Sequence, residues 1–364
     1  MLVFDRLSAD WRRYRLKPSG PFASLKIALI ADELTRTCLR HRCQVRDVTP
    51  ANYRAVFETW KPDLFFVESA WEGHSGSWKY GIASYADFPE RTNGALAAAV
   101  ACAGDRGIPA LFWNKEDSAH FDRFIASARL FPQIFTVDSN CIARYGALTP
   151  PGTRVEALMF AVEPAIHSPG ARDYIYPSAC FAGSYSRHVH ERRRGWQDMM
   201  FGACRDLGLT VYDRNSTRRS GNYRYPDMPW IAVRPRVAHD RTAQIYRDHM
   251  VALNVNTVED SPTMFSRRLI ESLACAAFTV TNPALSVDRL FAPYCVTVHG
   301  EAEMQELCAR LKGGLSASDR ERARAGAAHV LAEHTWAHRI AQILNAGGST
   351  PGLPPATQGP IEAP

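Results

Sequence analysis

Short apolar runs rich in valine, isoleucine, leucine and phenylalanine recur along the chain, alternating with segments whose apolar residues return every three or four positions. Continuous runs suit strands buried on both faces, and the intervening period suits helices. The pattern therefore predicts an α/β protein whose parallel, doubly wound sheets are covered by helices on both sides. In the first half the expected strands are 26–31, 43–48, 63–68, 110–113, 134–137 and 155–159. The clearest helix between them is 118–131, where Phe121, Phe124, Ile125, Ala128 and Phe131 make one apolar face and Asp117 stands as its N-cap. Residues 161–177, with Pro164, Pro169, Gly170 and Pro177, follow neither period and read as a hinge. A second alternation follows, with strands at 179–182, 209–212, 231–233, 251–257, 278–281 and 295–298. Its helices are expected at 189–207 and 242–250, and a last one at 317–344 is long enough to pack back on the first domain. The expected domains are 1–165 and 166–345; the Gly-, Pro-, Ser- and Thr-rich stretch 346–364 is expected to be a disordered tail.

Length agrees with two domains, since 364 residues exceed one ordinary core. The composition, 46% hydrophobic and 22% charged, is that of a folded chain. No apolar run has the length of a membrane span and the first twenty residues do not form a signal peptide, so the expected compartment is the cytoplasm, with peripheral contact at the inner membrane face left open. Nine scattered cysteines without CxxC spacing predict buried free thiols and no zinc site. His188 and His190 have no third ligand near them in sequence, so no metal is expected. The net charge of +6 suits an anionic small substrate better than nucleic acid.

Two such halves facing each other form a cleft, and ligands bind outside the carboxyl ends of the strands. The most informative polar segment follows 251–257: a short loop and then Ser266-Arg-Arg-Leu-Ile-Glu-Ser-Leu-Ala-Cys275. Strand, loop and helix N-terminus converge their free N–H groups on one point, where a phosphate can sit. At 100° per residue Arg267, Arg268 and Glu271 fall away from the apolar arc of Leu269, Ile270, Leu273 and Ala274. Guanidinium on phosphate and carboxylate on ribose hydroxyls would suit a nucleoside diphosphate. The alternative is an ordinary i, i+4 surface pair between Arg267 and Glu271. Gly183 and Ser184 follow another strand and can approach a phosphate through their backbone; Arg214 follows the next, and either borders a nucleobase or turns the chain. In the first half Glu68, Glu72 and His74 lie in a tryptophan-rich loop after a strand, and Glu116 follows another; each could take a proton from an acceptor hydroxyl.

The phrases VESAWEGHSGSW, LFWNKEDSAHFDRF, FTVDSNCIARY, CFAGSY, VYDRN and LNVNTVEDSPTMFSRRLIESLAC, in this order, resemble the CgeB-like glycosyltransferases, a family named for a spore-maturation protein, over residues 24–345. The resemblance implies the GT-B fold: two Rossmann-like domains, acceptor on the first, nucleotide-sugar donor mainly on the second, and no metal or cofactor beyond that co-substrate. It implies donor roles for Gly183, Ser184, Arg267, Arg268 and Glu271, with Glu271 on the ribose; Arg214 and Asn256 join the expected donor contacts. Two departures are visible. Thr263 stands where many GT-B enzymes carry a first glutamate, so sugar contacts there are expected from Thr263 and the following backbone N–H groups, and Ala276 stands where many relatives have glycine. The expected function is metal-independent transfer of a sugar to a cell-surface polysaccharide, lipid-linked or protein acceptor, with no nucleic-acid partner and no transmembrane segment. Arg268 would stabilise the departing diphosphate, and Glu68, ahead of Glu116, would be the base if the reaction inverts. Alternatives on the same fold are a polyol-phosphate transferase, an epimerase, and a non-catalytic carbohydrate-binding or surface-layer assembly protein.

Overall fold

The protein is described here by a computed structural model over residues 16–346, so the expectation for the tail at 346–364 falls, Ala346 apart, outside the described residues. The strands are β1 (Lys26–Ile30), β2 (Gln44–Asp47), β3 (Leu64–Glu68), β4 (Ala110–Asn114), β5 (Gln133–Thr136), β6 (Arg154–Ala157), β7 (Tyr176–Gly183), β8 (Leu209–Asp213), β9 (Ile231–Pro235), β10 (His249–Asn254), β11 (Phe278–Thr281) and β12 (Val296–Thr297). The main helices are α1 (Glu33–Arg42), α2 (Gly94–Gly104), α3 (Phe121–Ala128), α4 (Ile142–Leu148), α5 (Glu191–Ala203), α6 (Thr242–Asp248), α7 (Arg267–Ala274), α8 (Leu285–Leu290), α9 (Glu301–Leu311), α10 (Ala317–Glu333) and α11 (Trp336–Ala346).

The described chain divides into two units. The first holds residues 16–136, 141–158 and 336–346; the second holds 137–140 and 159–335. Each is built on one parallel six-stranded sheet, in the orders β2-β1-β3-β4-β5-β6 and β12-β11-β10-β7-β8-β9. Counted within its own unit, the second order is 3-2-1-4-5-6 read from its β9 edge. The strand order reverses between β1 and β3 in the first sheet and between β7 and β10 in the second. Crevices at such reversal points, beyond the strand ends, are where doubly wound sheets bind ligands.

The central strands are buried on both faces because their side chains are apolar on both faces: Leu64–Val67 and His249–Leu253 leave no exposed position. In the first unit Phe65, Phe112, Phe124, Phe131 and Trp78 share one core, and Trp113 meets Trp336 of α11 edge to face.

Two helix boundaries differ from the sequence pattern. The helix expected at 118–131 is the shorter α3, and Asp117 does not cap it. Its carboxylate is instead buried, accepting hydrogen bonds from Asn114 Nδ2, Thr136 Oγ1 and the Tyr145 hydroxyl. The run 317–344 is two helices, α10 and α11, because the backbone at His334–Thr335 leaves the helix to bridge Val162.

Candidate functional site

At the reversal point of the second sheet, β7 ends in Ala182-Gly183-Ser184, and α7 brings Arg268 across it. The Arg268 guanidinium lies 4.2 Å from the Phe181 ring centroid, its Nε donates to the Ala182 carbonyl, and Nη1 reaches Asn254 Oδ1 at 3.3 Å. This path exists because residue 183 is glycine: a Cβ there would stand 2.6 Å from Phe181 and 2.7 Å from Arg268 Nη2. From α5, Arg193 Nη2 donates to the Ser184 carbonyl at 3.0 Å, beside Gln197 Nε2 at 3.1 Å. From the loop after β8, Arg214 Nη2 stands 3.5 Å from Ser184 Oγ, and its N–H donates to Gly183. Three guanidinium groups thus meet around two residues.

Their electrostatics record the crowding. Burial draws the Arg193 pKa down to about 10, and the neighbouring Arg268 and Arg214 push the same way. Arg268 is lowered too, first by burial, with Arg214 adding to it against the favourable Tyr246, Tyr225 and Glu271. Arg193 Nε and the Tyr225 hydroxyl are buried with no hydrogen-bond partner. Buried donors without acceptors are costly, so a site that gathers them beside surplus positive charge suits an anion rich in acceptor oxygens.

Glu271, one turn further along α7, is buried rather than solvated, because Tyr246 and His239 cover the polar side of the helix. Tyr246 donates to its Oε2 at 3.2 Å; Oε1 lies 3.8 Å from His239 Nδ1 and has no hydrogen-bond partner. Burial raises the Glu271 pKa, opposed by the charges of Arg267 and Arg268. The tautomer of His167 follows from Thr242: that hydroxyl donates to the His239 carbonyl, so at 2.9 Å it must accept from His167 Nε2. His167 Nδ1 is then a bare lone pair, buried and unpartnered. Burial, with the Arg267 charge acting in the same direction, lowers the His239 pKa to about 3 and that of His167 well below its usual value. His167, His239 and Glu271 place three candidate ligand atoms within 4.8 Å of one another. The Arg267 guanidinium, which adds to burial in keeping both imidazoles neutral, also opposes a dication there. Two unpartnered acceptors, Glu271 Oε1 and His167 Nδ1, beside the unpartnered Arg267 Nη1 donor match a neutral diol better.

Other expected donor contacts are braces. Asn256 is buried, and its amide is consumed: Oδ1 accepts from Ser266 N–H and Asn254 Nδ2, while Nδ2 donates to Thr281 Oγ1 and Asn282 Oδ1. The Thr263 hydroxyl donates to the Val137 carbonyl and accepts from Ser139 N–H. Both side chains fix the loop between β10 and α7 instead of offering free groups to a sugar.

In the first unit the corresponding reversal point holds Asp32, after β1, and Glu68, ending β3. Glu68 was expected as the base, but it is completely buried, accepting from Asp32 N–H and pairing with Lys115 Nζ at 2.9 Å. A carboxylate so enclosed cannot meet an acceptor hydroxyl in this conformation. Asp32 accepts the N–H groups of Trp71, Glu72 and Gly73 and the Lys115 ammonium. Burial opposes its charge, yet Lys115 and these hydrogen bonds bring its pKa to about 2. Glu116 keeps solvent access, with a side chain 24% exposed, and stands 4.0 Å from Lys115 Nζ. His74 is half-buried near Asp47, its pKa lowered by burial.

The sequence reading missed Arg193, Tyr225, His167 and His239. The run Glu191-Arg-Arg-Arg194 directly after the Gly183–Ser184 loop was a usable signal for the first; the tyrosine and the histidines had none, since only folding brings them together.

Residues 188–345 match the family described as "Glycosyl transferase-like". No curated protein matches the sequence. Among solved structures the chain is similar to Anabaena Alr3699/HepE in complex with UDP and glucose, at 12% identity and a TM-score of 0.54, with 89% of this chain and 91% of that one covered. The same protein in complex with UDP-glucose gives 11% identity and 0.54, over 89% and 99%. Sucrose-phosphate synthase (tll1590) from Thermosynechococcus elongatus gives 10% identity and 0.51, over 86% and 78%. The structures establish the GT-B fold, and the family match makes the second unit a glycosyltransferase domain; the chain is a glycosyltransferase enzyme of that fold.

Proposed function

We propose that the second unit binds a nucleoside-diphosphate sugar, its diphosphate among Arg193, Arg214, Arg268 and Ser184 and its ribose at Glu271 and His167. One observation carries this reading. Among the buried polar atoms without partners, Arg193 Nε and the Tyr225 hydroxyl are donors beside the arginine cluster, whereas Glu271 Oε1 and His167 Nδ1 are acceptors behind it. A phosphate offers only acceptors and a ribose diol offers two donors, so a nucleotide supplies what each end lacks.

Arg268 would then stabilise the charge that develops on the departing diphosphate, where other enzymes of this chemistry use a metal ion. The arginine cluster supports metal-independent catalysis. If transfer inverts the anomeric carbon, the proton acceptor in the first unit is Glu116 and not Glu68, since it keeps solvent access. The resemblance to CgeB-like proteins supports a surface polysaccharide, lipid-linked or protein acceptor handled on the cytoplasmic side. The HepE complexes contain UDP or UDP-glucose, which makes UDP-sugars the first donors to test.

The test is a thermal-shift and calorimetric series with UDP-, GDP- and dTDP-sugars, with CMP-sugars, which carry a single phosphate, as the contrasting set. At a hundred times its dissociation constant a true donor stabilises by about 2.7 kcal/mol. A nucleoside diphosphate should bind and the matching monophosphate bind far less; failure of every nucleotide to bind would overturn the proposal and favour a non-catalytic GT-B protein.

A further inference from the structure

Between residues 187 and 241 the chain carries twelve arginines, no lysine and six carboxylates, a surplus equal to the net charge of +6 of all 364 residues. The rest of the sequence is neutral. Most of these arginines lie in the loops after β7, β8 and β9, and β9 is the edge strand of its sheet. The loops are tied into one surface. Arg187 N–H donates to the Asn222 carbonyl at 2.9 Å and its Nε to the Arg224 carbonyl at 3.3 Å; Arg224 Nη2 donates to Arg218 at 2.9 Å; Arg236 N–H donates to Ser216 Oγ at 3.0 Å. Arg187, Arg218, Arg219, Arg224, Arg234 and Arg236 are all exposed. Among them stand two exposed apolar side chains, Val189 at 43% and Val233 at 49%.

We propose that this face docks on the phosphate headgroups of an anionic lipid bilayer. Three features select that occupant. The cations are guanidinium forks, which grip phosphate oxygens in pairs, where a merely solvated surface would serve as well with lysine. The valines lie within the charged field, as on surfaces that settle into the boundary between headgroups and acyl chains. The positive charge is concentrated on one side of one unit, the arrangement that a negatively charged leaflet attracts. Ser184 and Arg214 belong to the same loops, so docking brings the donor diphosphate site to the bilayer surface, where a lipid-linked acceptor resides.

The experiment is co-sedimentation of the full chain with phosphatidylcholine vesicles and with mixed phosphatidylcholine–phosphatidylglycerol vesicles. The chain should pellet with the mixed vesicles only, and release as salt is raised to about 1 M, where screening reaches only about 3 Å. Replacing four arginines together (R218S, R219S, R234S and R236S) should lower the partition coefficient several hundredfold at low salt, at about fivefold per arginine. V189S with V233S should lower it a further few fold. The nucleotide-induced thermal shift should persist in both variants, which separates failure of this proposal from failure of the donor site. Equal binding to neutral vesicles, an unchanged partition coefficient in the fourfold variant, self-association through β9, or capture by polyphosphate without vesicle binding would each overturn it.

Discussion

Replacing Arg268 with methionine separates a binding role from a structural one, because the two readings predict opposite balances of stability and turnover. The substitution removes the charge-assisted bond from Nε to the Ala182 carbonyl, worth about 1.5–3 kcal/mol. The contacts to Asn254 and Ser266, at 3.3 and 3.5 Å, lie near the limit of hydrogen-bond geometry and add little. Against this loss, a cation desolvated by burial and opposed by Arg214 disappears, and Arg193 is relieved of a like-charged neighbour. The methionine stem keeps the packing over Phe181, where a sulfur–aromatic contact contributes about 0.3–1.5 kcal/mol. These terms nearly cancel, to within about 1 kcal/mol, and Tm should move by no more than about 4 °C. Turnover should not be spared. Loss of one preorganised group facing charge that develops in the transition state typically costs about a hundredfold to a thousandfold. The assay is release of nucleoside diphosphate from the donor identified by thermal shift, beside a melting curve of the same preparation. Turnover within tenfold of the parent, or a fall in Tm beyond about 8 °C, would show that Arg268 holds the fold and not the leaving group.

Four further substitutions test neighbouring parts of the argument. Gly183→Ala places a methyl 2.6 Å from Phe181 and 2.7 Å from Arg268, so it should displace the guanidinium, cost about 1–3 kcal/mol by overpacking, and reduce turnover more than Tm, read in the same two assays. Glu68→Gln should destabilise by about 2–4 kcal/mol, less than a fully broken buried pair because Asp32 still faces Lys115, while turnover of the folded fraction stays within tenfold. His239 has a folded pKa of about 3 against an unfolded one of about 6.5, so its contribution to stability is complete above pH 6.5 and is lost as pH falls toward 3. His239→Gln should flatten the slope of stability against pH between 6 and 4, measured by urea unfolding, by up to about 1.4 kcal/mol per pH unit. Ala276 sits at φ +55 just past α7, its N–H bonded to the Leu273 carbonyl while Ala277 N–H bonds Ser272. Ala276→Gly should raise stability by about 1 kcal/mol, seen as a rise in Tm, because only glycine takes this left-handed helix end without steric cost.

The fold was legible where burial alone dictates sequence. Runs such as Leu64–Val67 and Val251–Leu253 are apolar on both faces, as strands of a sheet covered on both sides require. Helix ends were harder to read, since Asp117 has the composition of an N-cap but spends its carboxylate on Asn114, Thr136 and Tyr145, brought to it by β5 and α4. The helical wheel placed Arg267, Arg268 and Glu271 off the apolar arc of α7, yet could not reveal that Tyr246 and His239 roof the polar side and make Glu271 a buried acid. Asn256 and Thr263 illustrate the same limit from the other direction. A polar residue in a loop after a strand looks like a ligand group until the partners that consume its hydrogen bonds are known.

The two reversal points begin from similar materials, strands ending in charged and small polar residues, and diverge in how those charges are balanced. In the first unit the Lys115 ammonium is met by Asp32 and Glu68, both at 2.9 Å, and three backbone N–H groups satisfy Asp32 further. That cluster balances its charges internally, which lowers the Asp32 pKa against the opposing effect of burial, although Glu68 Oε2 is left without a hydrogen-bond partner. In the second unit Arg193, Arg214 and Arg268 gather with Glu271 as the compensating carboxylate, and there burial, which raises the pKa of either acid, outweighs the opposing charges of Arg267 and Arg268. Uncompensated buried charge costs several kcal/mol and is retained only where something else supplies the missing partner. A perturbed, unbalanced cluster at a strand-order reversal is therefore, under the proposed function, a stronger candidate for the donor site than the acidic loop after Glu68 is for any ligand.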